Sequence, residues 1–197
     1  MSERIGVVAR RTAETSIDVR LNVDGSGKFV TETGVGFFDH MLSHIAKHGV
    51  FDLEMRAKGD LWIDQHHTVE DCGIALGEAL AQALGDKAGL QRAGSAYMPL
   101  DEALAFAAVD LSGRPYARLD LKLLGREIGG MPPDLFDHFL ESFAFAAKLN
   151  LHIRVLDGVN DHHKVEAAFK ALARALDAAC RVDPRRQGDI PSTKGTI

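Results

Sequence analysis

The 197-residue chain lacks sequence features that are typical of several protein classes. Its two cysteines, Cys72 and Cys180, sit in apolar helical patterns, so we expect core thiols and not a disulfide framework. No apolar run approaches the roughly 20 residues that a membrane helix needs. The net charge is -5 and no basic cluster stands out, which argues against a nucleic-acid binder. Because the N-terminus lacks the apolar core of a signal peptide, we expect a cytoplasmic protein without membrane contact.

Histidine, by contrast, is both frequent and clustered. Two of the nine histidines are adjacent at 66–67, and two more are adjacent at 162–163. A glutamate follows each pair at the same distance, Glu70 in the first case and Glu166 in the second. A single such cluster is compatible with helix capping, but its recurrence indicates a shared function.

The clusters belong to a longer internal repeat. "FFDHML" at 37–42 matches "LFDHFL" at 135–140, and "HHTVED" at 66–71 matches "HHKVEA" at 162–167. Elements that match in order and spacing favour duplication over two independent amphipathic helices.

We therefore expect two equivalent halves, at 1–91 and 92–185, each running strand, strand, helix, strand, helix. The hydrophobic periods favour an α+β fold. The predicted helices are 37–49, the helix within 63–84, 134–150 and 162–181. The predicted strands are 4–10, 15–23, the strand within 50–60, two strands around a turn in 102–124, and 151–158, with a hairpin-type turn at 24–29.

The repeated histidines and glutamates form a plausible metal-binding set. Successive residues turn about 100° on a helix, so His66 and His67 diverge and suit two different ions. Each half also has an upstream Asp-His, which supplies one further histidine. The resulting pool is His40, His66, His67, Glu70, His138, His162, His163 and Glu166.

Nitrogen and oxygen donors without thiolates suit manganese, iron, cobalt, nickel or zinc. Four protein ligands leave an octahedral ion two open positions, as a catalytic metal requires. The spacing is not that of the zinc-protease motifs. We expect Asp39, Asp64, Asp71 and Asp161 to accept hydrogen bonds from ligand imidazoles, although Asp71 and Asp161 could equally be helix-end charges.

Four stretches carry a resemblance to a known family. "TGVGFFDHMLSHIAKHGVFDL", "GDLWIDQHHTVEDCGIALGEAL", "NDHHKVEAAFKALARAL" and "PSTKG" resemble imidazoleglycerol-phosphate dehydratases, over residues 4–195. One departure is Gln65, where that family usually has an aspartate. The resemblance implies that each half is a four-stranded, mostly antiparallel sheet with helices on one face, as in ribosomal protein S5 domain 2. It also implies a substrate-binding tail at 186–197.

The resemblance further implies two divalent ions, manganese, in each site. One set would be His40, His67, Glu70 and His162. The other would be His66, His138, His163 and Glu166. It implies trimers that assemble into a 24-subunit homo-oligomer, with sites between subunits.

The implied reaction is dehydration of D-erythro-1-(imidazol-4-yl)glycerol 3-phosphate to 3-(imidazol-4-yl)-2-oxopropyl phosphate, through a dimetal-bound imidazolate, in L-histidine biosynthesis. The substrate is thus a small phosphorylated imidazole. The implied catalytic residues are Glu14, Glu70, Glu166 and His44, with Glu14 as the proton shuttle. The implied substrate-binding residues are Glu14, His48, Arg92, Arg114, Lys170, Ser192, Thr193 and Lys194. A dinuclear metal hydrolase using the same ligands is the alternative.

Overall fold

Four helices lie between two four-stranded sheets in the computed structural model, which describes residues 4–186 and 188–197. The first half runs β1 (Ile5–Arg11), β2 (Thr15–Asn22), β3 (Phe29–Glu32), α1 (Gly36–Gly49), β4 (Asp52–Gly59) and α2 (His66–Leu84). The second half runs β5 (Ala93–Leu100), β6 (Ala103–Asp110), β7 (Tyr116–Asp120), α3 (Asp134–Ala146), β8 (Asn150–Asp157) and α4 (Asp161–Cys180). A short 3-10 turn, Pro184–Arg186, follows α4.

The two sheets have the same topology. Their strand orders are β1-β2-β4-β3 and β5-β6-β8-β7. Within each sheet the first two pairings are antiparallel and the third, β3 with β4 or β7 with β8, is parallel. A parallel pair needs a crossover connection, which α1 and α3 provide. The predicted α+β duplication with mostly antiparallel sheets is confirmed.

Two strands lie where the sequence predicted none. β3 follows directly on the expected 24–29 turn, and β5 precedes the first strand expected in the second half. The first half therefore has three strands before its first helix, and so does the second. The predicted helix at 134–150 was too long, because α3 ends at Ala146 and Lys148 adopts a positive φ of 52° before β8 begins.

The halves are interlocked by their helices. α2 packs on the first sheet and on α3, whereas α4 packs on the second sheet and on α1. Gly73 and Gly77 of α2 permit the close approach to α3, since a Cβ on Gly77 would lie 2.6 Å from the Phe143 carbonyl oxygen. Phe139 stacks on Phe169 at 5.8 Å in the core. This cross-packing brings residues from opposite halves together at the helix starts.

Both cysteines are free and buried, as expected. Within the described part of the chain, none of the helices has the length and apolar character needed to cross a membrane.

Candidate metal centre and substrate site

One cluster of possible ligands forms where α1 meets α4; we call it the α1/α4 cluster. It consists of His40 from the first half and His162 and Glu166 from the second. Their ligand atoms lie within 4.8 Å of one another. Glu166 Oε2 is 3.2 Å from His162 Nε2 and 3.4 Å from His40 Nε2. Two imidazole nitrogens and a carboxylate oxygen thus converge on one point.

The second oxygen of Glu166 joins this cluster to neighbouring polar groups. Oε1 is 2.5 Å from Lys170 Nζ and 3.3 Å from His44 Nε2. Burial opposes ionisation of Glu166, but the Lys170 ammonium and the His44 imidazole outweigh it and lower its pKa to about 2. Burial is also the main reason that the pKa of His44 is lowered to about 4. Glu166 is therefore ready to act as an anionic ligand at neutral pH.

A second, looser group of histidine and glutamate side chains lies where α2 meets α3; we call it the α2/α3 cluster. The rings of His66 and His138 lie 4.4 Å apart between centroids. Glu70 Oε2 is 3.8 Å from His66 Nε2, one helical turn along α2. This cluster again combines one histidine from one half with a histidine and a glutamate from the other.

The remaining histidine of each adjacent pair faces elsewhere. The rings of His66 and His67 are 6.1 Å apart at 80°, and those of His162 and His163 are 6.1 Å apart at 90°. This is the divergence that helical geometry predicted. In the described part of the chain, His67 pairs with Asp60 and Glu14, not with the α2/α3 cluster.

The expected ligand sets lie between subunits, so a single chain leaves the assignment of the glutamates a prediction. The resemblance placed Glu70 with His40 and His162, whereas within the chain Glu166 lies beside these two histidines and Glu70 lies beside His66. The reason is local: His162 and Glu166 are one turn apart on α4, so they share a face and reach the same point. Each cluster does mix ligands from the two halves, as expected.

Asp39 and Asp64 do not orient imidazoles, contrary to prediction. Asp39 Oδ1 accepts hydrogen bonds from the backbone and hydroxyl of Thr33, both at 2.9 Å. Asp64 Oδ1 accepts one from the backbone N–H of His66 at 2.8 Å. Both carboxylates satisfy free backbone donors before a helix, where they stabilise its N-terminus.

Asp71 and Asp161 contact groups other than imidazoles, and only Asp161 has the expected role of a helix-end charge, in the first turn of α4. Asp71 accepts hydrogen bonds from Thr15 Oγ1 at 2.5 Å and Arg10 Nε at 2.8 Å. Asp161 accepts from the backbone of Leu124 and Gly125, at 2.8 and 2.6 Å. Each fixes a loop against the start of a helix.

Two carboxylates that hydrogen-bond to the Nδ1 of an imidazole were missed by the sequence analysis. Asp60 Oδ2 lies 2.9 Å from His67 Nδ1, and Glu102 Oε2 lies 2.8 Å from His163 Nδ1. The hydrogen bond to Asp60 raises the pKa of His67. A backbone hydrogen bond from Asn160, and then the bond from His163, lower the pKa of Glu102 to about 2. One sequence feature could have identified Asp60, since it is an acidic residue at a strand end before the histidine pair. No sequence feature distinguished Glu102.

Gln65 also contacts no histidine. Its Nε2 donates a hydrogen bond of 2.8 Å to the carbonyl oxygen of Gly130 and so joins α2 to a loop of the second half. An aspartate could not donate this bond, which gives the departure at this position a structural role.

Glu14 lies in the turn between β1 and β2, with Oε2 3.8 Å from His67 Nδ1. The turn is held by a series of hydroxyl contacts. Thr12 Oγ1 accepts from the backbone of Glu14 and Thr15, and Thr15 Oγ1 donates to Asp71. About half of the Glu14 side chain remains exposed, so it is accessible to a substrate.

Three of the residues expected to bind substrate meet at a shallow cavity of about 490 Å³, which Arg92, Ser192 and Thr193 line. Arg92 Nη1 donates to the Pro191 carbonyl at 2.7 Å, so the tail lies on this side chain. Asp110 already forms an ion pair with Arg92 at 2.7 Å.

Four other residues expected to bind substrate do not line that cavity: Arg114, Lys194, Lys170 and His48. Arg114 follows Gly113, which packs against Ile197 at the end of the tail. Lys194 donates its backbone N–H to Ser192 Oγ. Lys170 lies instead in the α1/α4 cluster, and His48 stands beside His44 with ring centroids 5.5 Å apart.

A larger cavity, of about 930 Å³, contains none of the expected site residues. Its charged side chains already pair, Arg4 with Asp24 and Arg181 with Asp177, both at 2.6 Å. We therefore place the chemistry at the histidine clusters.

Fold and site together define a class: a duplicated α+β enzyme whose histidine and carboxylate donors fit divalent metal ions. The model of the imidazoleglycerol-phosphate dehydratase family matches residues 33–176, and the chain belongs to this family. Its members are metal-dependent hydro-lyases.

Curated and solved relatives agree with this assignment. The chain is 55% identical to the imidazoleglycerol-phosphate dehydratase of a Roseiflexus species, covering 100% of this chain and 98% of the relative. The Acinetobacter baylyi enzyme is 54% identical, with the same coverage. The crystal structure of IGPD from Pyrococcus furiosus matches with a TM-score of 0.84 and 37% identity, over 96% of this chain and 100% of that one. The Staphylococcus aureus enzyme matches at 0.82 and 35%, over 91% and 99%.

Proposed function

We propose that this protein dehydrates D-erythro-1-(imidazol-4-yl)glycerol 3-phosphate to 3-(imidazol-4-yl)-2-oxopropyl phosphate and water, a step of L-histidine biosynthesis. Membership of the family supports the reaction. The main structural support for this proposal is the α1/α4 cluster, where three ligand atoms lie within 4.8 Å of one another. Cytoplasmic location stays a prediction.

The two clusters would each hold one divalent ion, with manganese as the proposed metal. His40, His162 and Glu166 would bind the first, and His66, Glu70 and His138 the second. When bound, the ions would supply Lewis acidity that favours the imidazolate form of the substrate ring. His67 and His163 would complete the coordination, and their direction away from the neighbouring cluster supports a contribution to another subunit's site.

Glu14 is the proposed proton shuttle. Its half-exposed carboxylate stands beside a histidine of the proposed metal set, and the Thr12–Thr15 turn holds it there. A positioned carboxylate can accept the carbon-bound proton and return it during ketone formation. His44 and His48 would contact the substrate from the α1 face, next to Glu166.

The phosphate would bind at the tail, residues 186–197. Arg92, Ser192 and Thr193 line one cavity, which supports a phosphate site there, and arginine suits a phosphate through its forked donors. Arg114 and Lys194 would contribute further charge. Because Lys170 already pairs with Glu166, its proposed contact with the phosphate requires the substrate to span both regions.

Assembly into a 24-subunit homo-oligomer of trimers, with sites between subunits, is part of the proposal. Large apolar side chains next to the histidine pairs support it: Trp62 is 83% exposed and Ile63 62% before α2, and Val159 is 84% exposed before α4. Exposed apolar groups of this kind mark protein contacts. Mass measurement of the native particle tests the assembly, and a monomeric active protein would contradict it.

A product assay tests the function. The purified protein with manganese and the imidazole-glycerol phosphate should form one enolisable ketone for each substrate consumed, and release no inorganic phosphate. Phosphate release without ketone would identify a dinuclear hydrolase instead.

A further inference from the structure

In both halves the equivalent histidine contacts a carboxylate, but the two carboxylates come from different elements of the fold. His67 and His163 occupy the same position in the repeat, and each has its Nδ1 within 2.9 Å of a carboxylate oxygen. Asp60 follows the end of β4. Glu102 lies in the turn between β5 and β6. The two halves therefore form the same histidine–carboxylate contact with residues from non-equivalent positions.

The turn that carries Glu102 has a counterpart in the first half. Glu102 immediately precedes β6, the second strand of its sheet, and Glu14 immediately precedes β2, the second strand of the other sheet. Glu14 is thus the topological equivalent of Glu102. It also approaches the equivalent histidine, but Oε2 stays 3.8 Å from His67 Nδ1 because Asp60 already occupies that nitrogen at 2.9 Å.

The surroundings of Asp60 point to a role in orienting the imidazole. Its side chain is 4% exposed, and the described residues offer Oδ1 no hydrogen-bond partner. Burying a carboxylate with so few partners is costly, so its retention calls for an explanation beyond packing. Within the described part of the chain, the one side-chain hydrogen bond of Asp60, to His67, supplies that explanation.

Glu102 contacts the backbone as well. Its Oε1 accepts hydrogen bonds from Asn160 at 2.8 Å and Val159 at 3.2 Å, just before α4. Glu102 therefore both anchors the loop before α4 and pairs with His163, so an experiment has to distinguish these two roles.

We propose that Asp60 and Glu102 are positioning residues, which accept the Nδ1–H of His67 and His163 and leave each Nε2 free to bind a metal ion, and that Asp60 thereby releases Glu14 for proton transfer. This inference rests on the proposed function. A ring whose Nδ1–H is held by a carboxylate has one tautomer and one orientation, and its Nε2 becomes a better ligand.

Titration of the assembled, metal-free protein with Mn²⁺ tests the metal part. Asp60→Ala should weaken one of two manganese equivalents about 10- to 100-fold, the usual effect of removing such a partner, and Asp60→Asn should weaken it less. The matched control is Asp157→Ala, since Asp157 ends β8 as Asp60 follows β4, and among the described residues its side chain hydrogen-bonds only to the backbone of Gly158. Unchanged affinity in a folded Asp60→Ala protein overturns the proposal.

A double-mutant cycle separates the two contacts of Glu102. Glu102→Ala should weaken manganese binding in the wild-type background and have no further effect in a His163→Ala background. An equal loss in both backgrounds would mean that Glu102 acts on the loop alone, which contradicts its proposed role.

Kinetics at saturating Mn²⁺ test the release of Glu14. In Asp60→Ala, Glu14 should move onto the vacated Nδ1 of His67, so kcat should stay about 10-fold or more below wild type even at saturating Mn²⁺. In Glu102→Ala, saturating Mn²⁺ should restore most of the wild-type kcat. Equal recovery of both variants contradicts this part. The wild-type protein distinguishes the two proposals. If it binds manganese but forms no ketone, the proposed function is refuted and the positioning role of Asp60 and Glu102 is not.

Discussion

At the scale of single residues, carboxylates around the histidine pairs divide into three groups. Glu70 and Glu166 face the ring nitrogens of the two clusters, Asp60 and Glu102 hold the outward-facing imidazoles, and Asp71 supports a turn. The sequence located the histidines and glutamates because repetition and helical spacing are local properties. It could not assign the other carboxylates, since their partners depend on how loops fold onto helix starts.

Asp71→Asn tests the support of the turn between β1 and β2, which carries the proposed proton shuttle Glu14. The change weakens the charged hydrogen bonds from Thr15 and Arg10, so Glu14 loses its fixed position. We expect kcat to fall between about 10- and 100-fold, with manganese content unchanged. The exposed Asp18→Asn is the control, because Asp18 pairs with Arg11 on the same sheet without reaching the turn. Equal kcat in both variants would show that the turn does not depend on Asp71.

At the scale of helices and strands, cross-packing creates the site. α1 packs on α4 and α2 on α3, so each cluster draws on both halves. This pairing of helices could not be predicted from the sequence, because it depends on tertiary packing. β3 was missed because its four residues pair in parallel with a distant strand, and β5 because small residues and Pro99 conceal its alternation.

Gly77→Ala tests the close approach of α2 to α3. A Cβ there would stand 2.6 Å from the Phe143 carbonyl oxygen, so the helices must separate. We expect a loss of about 1–3 kcal/mol in the free energy of unfolding, measured by urea denaturation. Gly36→Ala at the start of α1 is the control, as its Cβ would meet no atom within 4 Å. A Gly77→Ala protein as stable as that control would refute the close packing.

Asp52 ties the turn before β3 to the start of β4. Its Oδ1 accepts hydrogen bonds from the backbone of Ser26 at 2.8 Å and Lys28 at 3.0 Å, and the Ser26 bond is the main cause of its lowered pKa. A group with a lowered folded-state pKa stabilises the fold above its unfolded value, near 3.8, and loses this effect as pH falls through the folded value.

Asp52→Asn should therefore lower the melting temperature at pH 7, and the difference from the wild type should shrink below about pH 4. Thermal denaturation at several pH values measures it. A difference that persists unchanged at pH 3 would assign the effect to shape and not to charge.

At the scale of the whole molecule, the chain supplies the α1/α4 cluster, the looser α2/α3 cluster, two outward-facing histidines and a C-terminal tail that reaches Arg92. The duplicated fold was predictable, because both the repeat and the resemblance extend over nearly the whole chain. The relation of the tail to the clusters was not, since a tail's position depends on contacts far away in sequence.

Deleting residues 190–197 tests the tail. The truncation removes most of the cavity beside Arg92, so the phosphate loses its proposed contacts. We expect KM to rise about 10-fold or more, with manganese content intact. An unchanged KM would remove the tail from the substrate site.

The most direct test of the central claim is the anomalous diffraction of crystals soaked in Mn²⁺. The account predicts two manganese peaks per chain, one contacted by His40, His162 and Glu166 and the other by His66, Glu70 and His138. A single peak, or two peaks with Glu70 and Glu166 exchanged, would contradict it.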